Sequence, residues 1–147
     1  MWISTTALVT VFGVLATRGT AGAQALLGED FWGRVGTDRY AAYNWIDPRR
    51  RQLCWAHLKR DFIAWSERGG ETARLGLALL GVEKQLFALW HRVRDGTLAW
   101  ADFQVARLPL MERVGILLRE GAAGTEPKTP GMCRNLLKLA AALWTFV

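Results

Sequence analysis

Residues 51–65, RQLCWAHLKRDFIAW, contain the change of pattern that decides the fold class of this chain. The run Gln52-Leu53-Cys54 suits a short strand. From Trp55 onward the period becomes helical, because Leu58, Phe62 and Trp65 recur at i, i+4 and i+7 on one helical face. The chain therefore combines strand and helix signals, and we predict an α/β fold with a strand at 52–54.

The residues before this point also alternate between strand and helix signals. β-Branched and aromatic residues predict strands near 1–5, 8–15 and 33–38. A short helix is expected over about 21–28, with Thr20 as its N-terminal cap. The order strand, strand, helix, strand predicts a mixed α/β sheet.

The following segment, 55–140, is predicted to be mostly helical. An apolar stripe at near-heptad spacing predicts a long helix that packs against another helix. Its members are Leu75, Leu79, Val82, Leu86, Leu89 and Val93. Pro109 falls inside a further helical stretch at 98–120 and predicts a kink or a fresh start. Thr129 is expected to cap a last helix that has Pro130 at its first position.

Composition narrows the class of protein. The chain has 147 residues, of which 51% are hydrophobic, and this is enough for one folded domain with a core. Its formal net charge of +6 favours polyanionic partners such as nucleic acid or an anionic membrane. The two cysteines do not form a disulfide framework and fit a reducing, cytoplasmic location.

An apolar run at 7–16, ALVTVFGVLA, allows two interpretations. Together with Ala21-Gly22-Ala23 it has some features of a signal peptide. However, no Lys or Arg precedes the run, because the first positive side chain is Arg18, and the run is too short to span a bilayer. We therefore predict a strand there and no membrane partner.

Asp38 is the main candidate for chemistry, because it lies at the predicted carboxyl end of the 33–38 strand. Functional sites of α/β sheets gather at this edge. A carboxylate there is well suited to hold a divalent metal ion. A structural role stays open, in which Asp38 starts a turn by accepting hydrogen bonds from nearby backbone amides.

Cys54 and His57 have the spacing of metal ligands, but a structural zinc site needs four ligands. Cys133 and His91 are the remaining candidates, and their places on apolar helices favour core packing instead. His57 lies near the start of a helix beside basic residues, so it is also a candidate for contact with a phosphate.

Basic residues are concentrated just after the Asp38 segment, and with Arg39 they could form a basic rim beside Asp38. They are Arg49, Arg50, Arg51, Lys59 and Arg60. Each phosphate that such a rim neutralises strengthens nucleic-acid binding at low salt. A solvated surface run is the alternative interpretation.

Two blocks of sequence carry a resemblance to a known family: Thr37-Asp38-Arg39-Tyr40-Ala41-Ala42-Tyr43-Asn44-Trp45 and Arg51-Gln52-Leu53-Cys54-Trp55-Ala56-His57-Leu58-Lys59-Arg60-Asp61-Phe62. They closely resemble the central domain of transposases of the insertion-sequence family numbered sixty-six. Later blocks at 89–96, 133–138 and 143–146 are similar as well. The resemblance covers nearly the whole chain.

The resemblance implies an RNase H-like core that is interrupted by a helical insertion. On this basis 1–54 is a partial core, 55–140 is the insertion and 141–147 begins the return to the core. The family implies two Asp and one Glu that bind two divalent ions, normally Mg²⁺, for cleavage and joining of DNA. By resemblance Asp38 is the second carboxylate, and His57 lies near the active site.

The resemblance also indicates what this sequence does not contain. The first Asp is expected before Met1 and the Glu after Val147. One carboxylate cannot hold two cations, so we expect that this chain binds no Mg²⁺ stably. We therefore expect a piece of a transposase, truncated at both ends and inactive alone, whose partners are insertion-element DNA and full-length transposase. The alternative is a non-catalytic module that binds DNA or a transposase.

Overall fold

The structure is a computed structural model that describes residues 1–146. All four predicted strands are present, but they form two separate two-stranded sheets rather than one mixed sheet. Strands β1 (Trp2–Thr5) and β2 (Thr10–Gly13) are an antiparallel hairpin. Strands β3 (Val35–Thr37) and β4 (Arg51–Leu53) pair in parallel.

The two sheets are separate because they pack against different cores. Trp2 of β1 is buried in a small cluster with Ala23 and Ala42, and its indole nitrogen donates to the carbonyl of Thr17 at 2.9 Å. Leu53 of β4 belongs instead to the large helical core. The prediction of one continuous sheet is therefore wrong for the described residues, whereas the α/β class is confirmed.

Helices make up most of the structure after β4, as predicted. These helices are α2 (Trp55–Ser66), α3 (Gly70–Arg94), α4 (Trp100–Ala106), α5 (Leu108–Ala123) and α6 (Thr129–Lys138), whereas α1 (Thr20–Leu27) lies earlier, between β2 and β3. Pro109 gives a fresh start in the first turn of α5, where its missing N–H costs no helical hydrogen bond. Of the two outcomes expected from the position of Pro109, a kink or a fresh helix start, the structure shows the fresh start.

The two threonine caps were predicted wrongly. Thr20 and Thr129 are each the first residue of a helix, and the cap positions belong to Gly19 and Lys128. The hydroxyl of Thr129 is buried and lies 3.2 Å from the hydroxyl of Thr72 on α3. Its hydrogen bond therefore joins two helices instead of closing the end of one.

The large core forms where α2, α3, α5 and α6 meet. Every residue of the predicted α2 face is buried, and so are the first four members of the α3 stripe. Leu89 and Val93, near the end of α3, are only partly buried. The helical periodicity therefore identified the core-facing sides of both helices.

The segment after α6 packs back against β4 and the start of α2. A 3-10 turn spans Ala140–Leu143, and the carbonyl of Leu143 accepts hydrogen bonds from Trp55 Nε1 at 2.9 Å and Gln52 Nε2 at 3.2 Å. The Gln52 amide oxygen accepts from the backbone N–H of Phe146 at 3.0 Å. Val147, the last residue of the predicted return to the core, lies outside the described residues.

Across residues 1–146, no helix is both long enough and apolar enough to cross a membrane. The run at 7–16 contains β2, in agreement with the predicted strand.

Candidate active-site cleft

The parallel pairing of β3 and β4 brings the sequence block that contains Asp38 and the block that contains Cys54 to the same edge of a sheet. Thr37 is aligned with Leu53, and the backbone N–H of Cys54 donates to the Thr37 carbonyl at 2.8 Å. Asp38 and Cys54 therefore leave adjacent strands at the same carboxyl end, which is the edge where α/β proteins place their sites. Helix α2 begins immediately afterwards, at Trp55.

A cleft of about 370 Å³ opens at this edge, and we call it the Asp38 cleft. It is lined by Asp38, Arg39, Tyr40, His57, Arg60 and Asp61. The last three residues of this set are spaced i, i+3 and i+4 on α2, so they share one face of the helix. The cleft thus unites Asp38 with His57, which is exposed in the first turn of α2.

The Asp38 carboxylate is half-buried and held by a local turn. Its Oδ1 accepts the backbone N–H of Tyr40 at 2.9 Å, which is the structural role left open from the sequence. Within residues 1–146, no hydrogen bond engages Oδ2. Asp38 therefore combines a turn-forming oxygen with one that is available to a cation, a water molecule or a donor in the cleft.

Arg51 does not lie on the predicted basic rim. Its side chain is 0% exposed. The guanidinium donates to Thr37 Oγ1 at 2.8 Å, Asn44 Oδ1 at 2.9 Å, Asp38 O at 2.9 Å and Tyr40 O at 3.2 Å. Burial lowers the pKa of Arg51, and the nearby Asp38 carboxylate opposes this effect. The prediction of Arg51 as a DNA contact is therefore wrong, because all its polar atoms are turned inward to the loop.

Of the other predicted basic residues, Arg39 and Arg60 line the Asp38 cleft. Arg39 is paired with Asp61, since its Nη2 lies 2.6 Å from Oδ2 and both side chains are about one-third exposed, at 29% and 34%. This pair neutralises part of the charge that the cleft presents.

The remaining three basic residues do not line this cleft. Arg49 is exposed on the loop before β4. The Arg50 guanidinium lies 3.8 Å from the centre of the Trp32 ring and also donates to a backbone carbonyl. Lys59 contacts Glu83 of α3, with an N–O distance of 3.2 Å. The charges that are neighbours in sequence are therefore spread over different surfaces.

Sequence reasoning missed two features of the cleft. Asp61 lies four residues after His57, so helical spacing alone could have placed it on the same face. The inward orientation of Arg51 has no such local signal, because its acceptors come from four different positions between 37 and 44.

The cysteines do not contribute to a multi-ligand metal centre in the described part of the chain. Both are free thiols; Cys54 is half-buried and Cys133 is buried in the large core. Among residues 1–146, no group of three or more His, Cys, Asp or Glu side chains is arranged to hold a metal ion.

The α/β architecture places a cleft with acidic and basic side chains at the carboxyl ends of parallel strands, the edge where α/β proteins gather their functional sites. Residues 1–147 match the family model described as Transposase IS66 family. The chain therefore belongs to the IS66 family of transposases, and the family relates it to DNA transposition. Neither the curated proteins nor the solved structures gave a match.

Proposed function

We propose that this chain supplies the second metal-binding carboxylate, Asp38, to a transposase site that cuts and joins DNA at the ends of an insertion element. One observation carries the proposal. The Asp38 carboxylate opens into a cleft at the carboxyl end of β3, beside His57 and Arg60. A carboxylate for a cation and a guanidinium for a phosphate are the two charges that phosphodiester chemistry needs side by side.

The Asp38 cleft offers the type of ligand atom that Mg²⁺ prefers, but too few of them to bind the ion alone. Mg²⁺ prefers hard oxygen ligands, and the free Oδ2 of Asp38 is one. Asp61, the second carboxylate lining the cleft, is engaged by Arg39. We therefore assign a ligand role to Asp38 alone and route no reaction step through the metal.

We further propose that the chain does not cleave DNA by itself and that the other carboxylates come from residues outside it. This fits the family expectation of an RNase H-like core in which Asp38 is one of three acidic residues. His57 then contacts DNA or orients a ligand from the first turn of α2. The setting is cytoplasmic, with insertion-element DNA as the partner and full-length transposase as a second one.

The metal-ligand role is tested with Mn²⁺, whose paramagnetism broadens the NMR signals of nearby residues. We expect broadening around Asp38 and Tyr40 that is lost in Asp38→Asn. Asp47→Asn is the matched control, because the Asp47 Oδ1 accepts the Arg49 N–H at 2.9 Å in the same kind of turn. Broadening that persists in Asp38→Asn, or that is lost in Asp47→Asn, refutes the assignment.

The inactivity is tested by incubating the purified chain with element-end DNA and Mg²⁺. No nicking above background is expected. Robust cleavage that disappears in Asp38→Asn refutes the inactivity claim and at the same time supports the role of Asp38.

The second candidate function is a non-catalytic module that binds DNA or a transposase. The net charge of +6 and the exposed Arg49 favour it. A gel shift that weakens with salt and with charge reversal at Arg49 and Arg60, together with unaltered Mn²⁺ broadening in Asp38→Asn, selects this function. Arg51 is excluded from the charge reversal because it is buried.

A further inference from the structure

A second cleft adjoins the Asp38 cleft, and Arg39 lines both. We call it the Lys138 cleft. Its lining residues are Arg39, Ala41, Asn44, Asn135, Lys138 and Leu139. Its volume is about 180 Å³, whereas a single water molecule needs only about 10–15 Å³. The Lys138 cleft is thus large enough for a group such as a phosphodiester.

Every polar side chain that lines the Lys138 cleft can donate a hydrogen bond. The Arg51 guanidinium has no acceptor atom, so the Asn44 atom that it contacts at 2.9 Å is the amide oxygen Oδ1. Within residues 1–146 no hydrogen bond uses the other end of the Asn44 amide, the Nδ2 donor, so this donor is available to the cleft that Asn44 lines. Buried Arg51 therefore fixes the orientation of a donor on the surface.

Arg39 also keeps donors available. Its Nε and Nη2 bind Asp61 Oδ2 at 3.2 and 2.6 Å, and within residues 1–146 no hydrogen bond uses Nη1. From α6, Asn135 and Lys138 are exposed and are spaced i, i+3, so they share one helical face. Donors from a loop and from a distant helix thus converge on one space.

The charges of the two adjoining clefts differ. The Asp38 cleft contains two carboxylates, Asp38 and Asp61. None of the residues that line the Lys138 cleft carries a carboxylate, and two of them, Arg39 and Lys138, are cationic. An anion in the Lys138 cleft therefore meets two cationic side chains and no carboxylate in its lining.

We propose that the Lys138 cleft binds a backbone phosphate of DNA, next to the phosphate that lies in the Asp38 cleft. This inference rests on the proposed function and deepens it, because it names where the strand runs beyond the reacting position. The contact is with the backbone, so it is independent of base sequence. Lys138 and Asn135 are its residues from α6, and neither belongs to the basic run at 49–60.

The test measures binding of fluorescein-labelled duplex DNA by anisotropy, over a range of salt concentrations, with two unrelated sequences. Losing one phosphate contact lowers the salt slope by about 1 and the affinity roughly tenfold at 0.1 M salt. We expect this for Lys138→Ala with both duplexes. Lys84→Ala is the control, because Lys84 is exposed on α3 and lines neither cleft. It should change the slope much less.

Two outcomes of this experiment would refute the inference. An unchanged slope in Lys138→Ala, with normal binding by the unmodified chain, refutes the inference but leaves the proposed function intact. A loss that differs between the two duplexes indicates base contacts and also refutes it. Lys138 lies in the last turn of α6, where a cation stabilises the helix, so thermal unfolding of each variant must confirm that it is folded.

A second experiment tests the Lys138 cleft even if the chain does not bind duplex DNA. Failure to bind duplex DNA would count against the proposed function alone. The probe is the dinucleotide thymidylyl-thymidine, which has one phosphodiester, titrated while the side-chain amide signals of Asn44 and Asn135 are followed by NMR. Both signals should shift in the unmodified chain and in Lys84→Ala but not in Lys138→Ala. The absence of these shifts in the unmodified chain overturns the inference.

Discussion

Arg51 and Asp38 are joined by a hydrogen bond of 2.9 Å that runs from the guanidinium Nη2 to the backbone carbonyl of Asp38. The same guanidinium holds Thr37 before Asp38 and Asn44 after it. The buried Arg51 guanidinium therefore holds the loop that carries Asp38, the candidate metal ligand, in place. This relationship links the interior of the β3–β4 sheet to the geometry of the cleft.

Replacing Arg51 by Ala should be strongly destabilising. The change leaves acceptors on Thr37, Asn44 and the Asp38 backbone without their donor, and each acceptor that stays buried without a partner costs about 1–3 kcal/mol. Urea unfolding monitored by tryptophan fluorescence measures the loss. The free energy of unfolding of Arg51→Lys should lie between those of the unmodified chain and Arg51→Ala, because an ammonium keeps the charge but not the planar set of guanidinium donors.

The control for Arg51 is its neighbour Arg49, which has the same charge but is exposed. Arg49→Ala should change the free energy of unfolding by less than about 0.5 kcal/mol. Equal losses in the free energy of unfolding for Arg51→Ala and Arg49→Ala would show that Arg51 does not hold the loop in place.

Asp61→Asn should strengthen DNA binding. The substitution removes a negative charge from the Asp38 cleft and releases Arg39 from its ion pair of 2.6 Å. One additional cation for a phosphate corresponds to roughly tenfold tighter binding at 0.1 M salt. The free energy of unfolding should fall by no more than about 1 kcal/mol, because the pair is partly exposed.

Asp102→Asn makes the same change of net charge on the exposed surface of α4, away from the residues that line the cleft. Anisotropy titrations of both variants separate a local effect from a general one. If both tighten binding to the same extent, only the total charge of the chain matters and the role assigned to Arg39 is wrong.

Close packing of α2 against α3 depends on Gly76. A Cβ at this position would lie 2.6 Å from the Ser66 backbone nitrogen and 2.7 Å from the Phe62 carbonyl oxygen, so the helices would have to separate. Gly76→Ala should lower the free energy of unfolding by about 2–3 kcal/mol. Gly81, on the same helix, has open space at its Cβ position. Gly81→Ala should therefore stabilise by about 0.5–1 kcal/mol, and equal responses in urea unfolding would refute the close-packing account.

Periodicity predicted the helices well because their burial is set by spacing along one element. The faces of α2 and α3 were identified from apolar residues three and four positions apart, and Pro109 marked a helix start. The four strands were also predicted, but not their separation into two sheets. Strand pairing is a contact between distant residues, and residue patterns do not specify the partner.

In the site, as in the fold, the features set by neighbouring residues were predicted, whereas contacts between residues far apart in sequence were not. The end of β3 and the start of α2 predicted that Asp38 and His57 are candidates, and parallel pairing brings them into one cleft. Within the basic run at 49–60, Arg51 was wrongly predicted to lie at the surface, since its burial depends on acceptors in the preceding loop. Lys138 could not be connected to Arg39 from sequence, because their proximity arises only when α6 has packed.

Cys133 makes the stability of the chain sensitive to alkaline pH. Its side chain is 0% exposed, and burial raises the pKa of the thiol from 9.0 to about 11. Below pH 9 both the folded and the unfolded chain keep the proton, so the contribution of Cys133 is fully present. Between pH 9 and about 11 the unfolded chain ionises first, and the free energy of unfolding therefore falls as pH rises.

Urea unfolding at several pH values measures this fall, which is at most about 3 kcal/mol for Cys133. Tyr43 also has a pKa raised by burial, so it contributes in the same direction. Cys133→Ala isolates the thiol: the variant is less stable at pH 7, but the difference from the unmodified chain should shrink between pH 9 and 11. A constant difference would contradict the buried-thiol account. Native-state labelling gives a second check, because half-buried Cys54 should react with a thiol reagent before Cys133 does.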